Sequence, residues 1–147
     1  MRPTARFAVV IVVLLGACQS PTAGGGGAAP VSLVGQWSYA ATQTSPVVGS
    51  ITGTLTISQQ SGRDFQGFLD AIEQDGLGNL THVSGVISGQ VLDTSAVTFS
   101  AFLGLAGRQH VGTMARDSLK GPWVEQTSGE VTSTGTFVAA RRTAGGP

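Results

Sequence analysis

The segment Ile51-Thr-Gly-Thr-Leu-Thr-Ile-Ser58 alternates strictly between two classes of side chain. One face carries the three apolar residues and a glycine: Ile51, Gly53, Leu55 and Ile57. Thr and Ser occupy every position of the other face. Because successive side chains of a strand point to opposite sides of a sheet, this period of two predicts a strand with one buried and one solvated face.

The same alternation continues on both sides of this segment, from Val34 to the end of the chain. No window of a dozen residues shows the spacing of an amphipathic helix. Further strands are predicted at residues 35–41, 64–71, 81–92, 96–103, 108–116, 119–126 and 131–141. Short turn-forming segments separate them, and short connections join antiparallel neighbours, since a parallel pair needs a crossover of about a dozen residues or more. The prediction is an all-β, antiparallel up-and-down meander.

The glycines help to choose between the two ways of burying one apolar face, which are stacked sheets and a closed barrel. Glycine repeatedly alternates with a large residue on the predicted inner face, as in the pairs Gly35 with Trp37 and Gly121 with Trp123. A narrow barrel needs small and large interior residues in alternation. We therefore predict a small eight-stranded closed barrel. The alternative interpretation is that these glycines mark turns and bulges.

The N-terminal segment has the order of a secretory signal. Arg2 and Arg6 precede an apolar run over residues 7–15, and the small residues Gly16 and Ala17 follow it. The run is too short for a transmembrane helix, which needs about 20 apolar residues. The following segment is rich in Gly and Pro and has no large side chain to bury, so it is predicted to be a disordered tether.

The sequence Leu15-Gly16-Ala17-Cys18 resembles a bacterial lipobox, and Cys18 is the only cysteine of the chain. The resemblance implies that Cys18 is diacylated, becomes the new N-terminus and anchors the protein to a membrane of the cell envelope. The outer membrane is favoured if the source has one. The predicted organisation is a signal peptide at 1–17, a lipidated tether at 18–30 and a barrel at 31–147.

Both ends of the meander carry a second resemblance. Gly35-Gln36-Trp37 opens the first strand, and Gly135-Thr-Phe-Val-Ala-Ala-Arg141 closes the last. These segments are similar to those of the calycin superfamily of lipocalins, fatty-acid-binding proteins and avidins. The resemblance implies that Arg141, or Arg142 in its place, covers the indole of Trp37 and closes one end of the barrel. Stacking of Arg on Trp is favourable by about 0.5 to 2 kcal/mol.

Composition excludes several functional classes. Eight Lys and Arg balance eight Asp and Glu, and no basic cluster lies in the body of the chain, so a nucleic-acid partner is not expected. One Cys and two His provide neither a disulfide nor a zinc site. The titratable residues form no catalytic pattern. We expect no metal, no cofactor and no enzymatic activity.

Two functional hypotheses remain. In the first, the barrel binds a small, largely apolar ligand, with the candidate lining residues Tyr39, Phe65, Phe99, Met114, Trp123 and Phe137. The alternative for these residues is that they simply fill the core. In the second hypothesis, the domain is a protein-interaction module, an inhibitor or an assembly accessory of the envelope. It is motivated by Phe68 and Phe102, which fall on the outer face, and by an apolar loop near residues 43–50.

Overall fold

The computed structural model describes residues 30–143, which form eight β-strands and no helix. The strands are β1 (Gly35–Ser45), β2 (Gly49–Ser61), β3 (Asp64–Gln74), β4 (Leu80–Val91), β5 (Ala96–Leu103), β6 (Ala106–Ala115), β7 (Ser118–Thr127) and β8 (Glu130–Arg141). Within this described part, no helix is available to cross a membrane. The predicted signal peptide, Cys18 and nearly all of the tether lie outside the described residues.

Each strand pairs antiparallel with the next, and β1 also pairs with β8, so the sheet closes into a barrel. The predicted up-and-down barrel is therefore confirmed. We call the end that holds the start of β1 and the end of β8 the lower end. The upper end holds the connections β1–β2, β3–β4, β5–β6 and β7–β8.

In β2, the apolar and polar residues of Ile51–Ser58 alternate between buried and more exposed positions. Ile51, Leu55 and Ile57 are buried, and Thr52, Thr54 and Ser58 are not. The same period in the other strands produces one continuous interior of aromatic and aliphatic side chains. Removing this apolar surface from water is the main favourable contribution to folding.

The interior glycines lie within strands and face neighbouring backbone. A Cβ at Gly67 would lie 1.9 Å from the Thr56 carbonyl oxygen, and one at Gly121 would lie 2.0 Å from the Val111 carbonyl oxygen. Real Cβ atoms do not approach an oxygen so closely, so these positions admit only glycine. The close approach of coiled strands therefore explains these glycines better than turns or bulges do.

Several strands are longer than the sequence pattern predicts. β1 continues to Ser45 and β2 begins at Gly49, so the apolar loop expected near residues 43–50 is a short turn with Val47 and Val48 exposed. The polar strand ends carry no hydrophobic alternation, yet their backbones pair, as in Gln43 with Gly49. Ladder hydrogen bonds need only backbone groups, which explains why the pattern ended too early.

Candidate functional site

The lower end of the barrel is closed by a Trp and an Arg. Trp37 is fully buried, and the guanidinium carbon of Arg141 lies 4.3 Å from the centre of its ring. The indole Nε1 of Trp37 donates a hydrogen bond to the Leu33 carbonyl at 2.9 Å. Leu33 is itself fully buried, so the segment that precedes β1 forms a plug beneath the indole.

All three guanidinium nitrogens of Arg141 have oxygen partners. Nη1 donates to the Val34 carbonyl at 2.8 Å and Nη2 donates to the Ser32 carbonyl at 2.7 Å. Nε lies 3.2 Å from a carboxylate oxygen of Asp117. Arg142 was the alternative residue predicted to cover Trp37. It is exposed, and its backbone N–H donates a hydrogen bond to the Gln36 carbonyl. The lower end is thus a fully bonded closure.

The six candidate lining residues all lie in the interior and are buried. Four of them, Tyr39, Phe65, Phe99 and Phe137, make ring contacts with one another. The rings of Phe99 and Phe137 meet edge to face at 5.6 Å, and those of Tyr39 and Phe137 are stacked at 6.2 Å. This mutual packing forms the apolar middle of the barrel.

A polar cluster that the sequence analysis did not single out lies above this aromatic layer. It centres on Arg108 of β6, whose side chain is only 2% exposed. Its Nη2 donates to Glu73 Oε1 at 2.7 Å and to Glu125 Oε2 at 2.6 Å. Its guanidinium carbon lies 4.5 Å from the ring centre of Trp123, which is 1% exposed. One guanidinium therefore holds two carboxylates and covers an indole.

Several buried nitrogens of this cluster have no hydrogen-bond partner among the described residues. They are the N–H donors Nε and Nη1 of Arg108 and Nε1 of Trp123, together with Nδ1 of the neighbouring His110, which donates or accepts according to the tautomer. A buried polar group left unpaired costs about 1 to 3 kcal/mol, and folded proteins pair nearly all such groups. At these nitrogens, therefore, the described protein atoms do not use the available hydrogen-bonding capacity.

A neutral pair lies next to the cluster. The hydroxyl of Tyr39 is 2.9 Å from His110 Nε2, and the imidazole stacks on Phe99 at 4.2 Å. Burial, aided by the nearby charge of Arg108, lowers the pKa of His110 to about 3. Burial also raises the pKa of Tyr39, although Arg108 offsets part of this effect. Both side chains are thus uncharged near neutral pH.

The cluster borders the upper mouth of the barrel. A pocket of about 100 Å³ opens between the β1–β2 and β3–β4 connections, and its walls include Val47, Val48, Ile51 and Glu73. The side chains of Glu73 and Glu125 are 28% and 17% exposed, whereas Arg108 lies beneath them. The two carboxylates therefore stand between the buried guanidinium and solvent.

A signal for this cluster was present in the sequence. Residues 108, 110, 112 and 114 fall on one face of the predicted sixth strand, and Met114 marks that face as the inner one. Arg108 is thereby placed in the core, where charged residues are rarely found without a partner. The partners could not be inferred, because Glu73 and Glu125 are distant in sequence and come together only in the closed barrel.

Known structures share this architecture. The barrel resembles designed β-barrels. The chain EF1p2_mFAP2b bound to DFHBI matches with a TM-score of 0.59 and 15% identity, over 75% of this chain and 94% of that one. The redesigned β-barrel mFAP1 bound to DFHBI matches with a TM-score of 0.54 and 15% identity, over 75% and 94%. A de novo designed fluorescence-activating β-barrel matches with a TM-score of 0.51 and 16% identity, over 74% and 93%.

At such identities the designed barrels show a shared fold and nothing about residues. No protein-family model and no curated protein matches the chain. Between residues 30 and 143, no three His, Cys, Asp or Glu side chains are grouped so as to hold a metal ion.

Proposed function

We propose that this protein is a lipid-anchored protein of the cell envelope whose barrel binds a small ligand at its upper end. The observation that carries the binding part is the pocket at the upper mouth, whose wall includes Glu73, a carboxylate bonded to the buried Arg108. The ligand places a polar group against Glu73 and its apolar part against Val47, Val48 and Ile51. The anchoring part rests on the lipobox-like sequence at Cys18.

The comparison with designed barrels supports ligand binding as a capacity of this architecture. Two of the similar barrels are bound to DFHBI, although they share only 15% of their residues with this chain. An eight-stranded barrel has an interior just wide enough to be filled by side chains or to hold one small ligand. In this chain aromatic rings pack against one another in the middle of the barrel, which favours the pocket at the upper end as the place for a ligand.

The size of the mouth limits what can bind. Sites for drug-sized molecules usually have volumes of about 300 to 1,000 Å³, whereas the pocket has about 100 Å³. One water needs about 10 to 15 Å³ in such a cavity, so the pocket has room for about ten heavy atoms at most. The proposed ligand is therefore a small compound, or a larger one of which only the polar end is enclosed.

Native mass spectrometry of the mature chain tests both parts of the proposal. The protein is extracted from its own host in a mild detergent and released from the micelle in the spectrometer. We expect a covalent mass increase of two or three acyl chains at Cys18 and, in addition, a non-covalent mass that is lost on activation. Cys18→Ser should remove the first increase.

Two matched variants locate the non-covalent mass. Glu73→Gln should weaken its retention, because the substitution changes a residue of the pocket wall. Asp64→Asn should leave it unchanged, because that exposed carboxylate lies at the lower end, at the start of β3. Bare protein at the mass of the acylated chain would contradict ligand binding, and an unmodified Cys18 would contradict anchoring.

A protein-interaction module is a second candidate because of an apolar row on the outer surface. Phe68 of β3 is 44% exposed and pairs with Val86 of β4, which is 60% exposed. Phe102 of β5 is 51% exposed and follows Ala101, the partner of Ile87. If this row is a contact surface, replacing Phe68 and Phe102 with alanine should abolish the crosslinks to partner proteins on intact cells. Unchanged crosslinks would exclude this role for the row.

A further inference from the structure

The segment that enters β1 is fixed to the lower end of the barrel by side-chain hydrogen bonds. Arg141 donates to two backbone carbonyls of the segment 32–34, at 2.7 and 2.8 Å. The amide of Gln60 accepts a hydrogen bond from the Leu33 N–H at 2.7 Å and donates one to the Val31 carbonyl at 3.1 Å. The chain that precedes residue 30 is therefore attached to the barrel at its lower end.

The length of chain between Cys18 and the barrel limits how an anchored barrel can turn. Twelve peptide units join Cys18 to Pro30, and a chain spans at most about 3.6 Å per residue, so these two residues lie within about 43 Å of each other. Strands that rise about 3.3 Å per residue and tilt by about 40° make a barrel about 30 Å tall. Turning the upper end to the membrane would use most of this reach and leave the connecting chain few conformations, at a cost in entropy.

The exposed basic side chains of the described residues are confined to the lower half of the barrel. They are Arg63, Arg116, Lys120 and Arg142. Arg141 is half-buried at the same end, and Arg108, the remaining basic residue between 30 and 143, is buried. Three carboxylates share the lower end: Asp64, Asp93 and Asp117. Five basic groups against three acidic ones leave this end with an excess of positive charge.

The upper end has the opposite charge. Four carboxylates lie at or near its connections, and the buried Arg108 is the one basic residue of the described chain at this end. The four are Glu73, Asp75, Glu125 and Glu130. Leu77 and Leu105 are exposed apolar residues of the same end, but an anionic lipid surface that approached them would meet these carboxylates. The opposite charges of the two ends therefore favour one orientation of the barrel on such a surface.

Apolar side chains lie beside the basic ones at the lower end. Val31 is 46% exposed and Leu92 is 45% exposed. The connection β2–β3 joins them, because Gln60 Nε2 donates to the carbonyls of both Val31 and Gly62, and Nη1 of the next residue, Arg63, donates to the Leu92 carbonyl at 2.7 Å. A surface that combines basic and apolar side chains suits the boundary between lipid head groups and acyl chains.

From these observations we propose that the lower end of the barrel docks on an anionic lipid surface and that the upper mouth points away from the membrane. Arg63, Arg116 and Arg142 lie against the head groups, and Val31 and Leu92 lie between them. A ligand of the upper pocket therefore enters from the aqueous side and not from the bilayer. This inference rests on the proposed anchoring and specifies the surface that the anchor brings into contact with lipid.

The single cysteine makes the orientation testable whether or not the native chain is acylated. The ¹⁵N-labelled mature chain is coupled through Cys18 to a maleimide-bearing lipid in nanodiscs. The nanodiscs contain either phosphatidylcholine alone or phosphatidylcholine with phosphatidylglycerol, and a few lipids of both kinds of nanodisc carry a neutral gadolinium chelate on the head group. Paramagnetic broadening of the two indole N–H resonances then reports how far Trp37 and Trp123 lie from the lipid surface.

With phosphatidylglycerol, we expect Trp37 to be broadened at least about fivefold more than Trp123, because several residues at about 3.3 Å each separate their levels in the barrel and broadening falls steeply with distance. On phosphatidylcholine alone this ratio should narrow at least twofold. Salt at about 1 M, where the Debye length is about 3 Å, should narrow it in the same way on the anionic nanodiscs.

A pair of double variants tests the role of the lower-end charges. Arg116→Asn with Arg142→Gln removes two exposed positive charges, and Asn tolerates the positive φ of 53° at residue 116. On anionic nanodiscs the ratio should fall to its value on phosphatidylcholine alone. Asp70→Asn with Glu130→Gln is the matched control, because it removes two exposed charges on the side and at the upper end of the barrel. At that distance from the lipid surface salt screens them, so the ratio should stay unchanged.

The outcomes separate this inference from the proposed function. Stronger broadening of Trp123 than of Trp37 on anionic nanodiscs would show that the upper end docks, and the inference would be overturned. Equal broadening that does not respond to phosphatidylglycerol would show a freely turning barrel and would overturn it as well. Neither result changes the masses measured from the native host, which decide acylation of Cys18 and ligand binding independently.

Discussion

The two ends of this barrel use the same pair of residue types to opposite effect. At the lower end Arg141 covers Trp37 at 4.3 Å, and at the upper end Arg108 covers Trp123 at 4.5 Å. The lower pair has an oxygen partner for every side-chain nitrogen. In the upper pair, only Nη2 of Arg108 has partners.

A stacked Arg and Trp is therefore not by itself a mark of a closed barrel end. What distinguishes the ends is the identity of the oxygen atoms. Backbone carbonyls of the entering segment satisfy the lower pair, so that end is part of the architecture. At the upper end the oxygens come from two side chains near solvent, and three N–H-bearing nitrogens are left over, so the protein itself does not use all the hydrogen-bonding capacity of that end.

The largest expected loss of stability comes from replacing each of the two arginines with methionine, in separate variants. Arg108→Met leaves Glu73 and Glu125 facing each other without their shared cation, and breaking a buried ion pair in this way costs about 3 to 5 kcal/mol. Arg141→Met removes a partly exposed stack and bonds to backbone carbonyls, at a cost of about 1 to 2 kcal/mol. Urea unfolding of both variants measures the difference.

A triple variant separates the effect of charge on stability from the effect of packing at the upper end. Arg108→Met combined with Glu73→Gln and Glu125→Gln removes the uncompensated carboxylates, and it should recover more than half of the stability lost by Arg108→Met alone. Equal losses for Arg108→Met and Arg141→Met would remove the proposed distinction between the two ends.

A pH effect of intermediate size on the free energy of unfolding is expected from the buried pair of Tyr39 and His110. The pKa of His110 falls from 6.5 to about 3 on folding. Between these two pH values the unfolded chain therefore binds a proton at His110 that the folded chain does not bind. The stabilising contribution is present above pH 6.5 and is lost as the pH falls toward 3. Unfolding free energy should drop by about 2 kcal/mol between pH 7 and pH 5, a window in which carboxylates stay ionised.

Two variants assign this pH dependence. Tyr39→Phe with His110→Phe removes both members of the buried pair, so the loss of stability between pH 7 and pH 5 should largely disappear. His82→Gln changes the exposed histidine, which contacts Asp70 at 2.6 Å, and should leave most of the loss in place. The reverse result would assign the pH dependence to the outer surface.

The smallest expected effect is a difference in stability between two variants that each remove one indole N–H group. Trp37→Phe loses packing and also leaves the Leu33 carbonyl without its donor. Trp123→Phe loses similar packing but removes a donor that has no partner. Trp37→Phe should therefore be more destabilising by about 1 to 2 kcal/mol. Thermal unfolding in the absence of ligand checks this, and a larger loss for Trp123→Phe would show that its N–H is satisfied.

The fold could be predicted from the sequence because its signals are local. The alternation around Ile51–Ser58 and the glycines beside large residues carry the strand period and the barrel interior. The ends of the strands could not be predicted, because segments such as Thr42–Ser45 pair through backbone groups that leave no pattern of side chains.

The candidate site, like the fold, could be predicted from the sequence only in part. The aromatic residues were recognised as interior from their positions, and the sixth strand already placed Arg108 and His110 on the inner face. Their partners could not be recognised. Glu73 lies 35 residues from Arg108 and Glu125 lies 17 residues from it, and no local rule connects three strands across a closed barrel.

The sequence by itself determined which side chains point inward, because a strand's period of two is a property of the chain alone. It also carries the lipobox-like motif, which depends on no tertiary contact. Only the tertiary structure decided which inward polar groups have partners. Closing the barrel brings the entering segment under Trp37 and leaves Trp123 without an acceptor, and hydrogen bonding requires atoms within about 3 Å, whatever their distance in sequence.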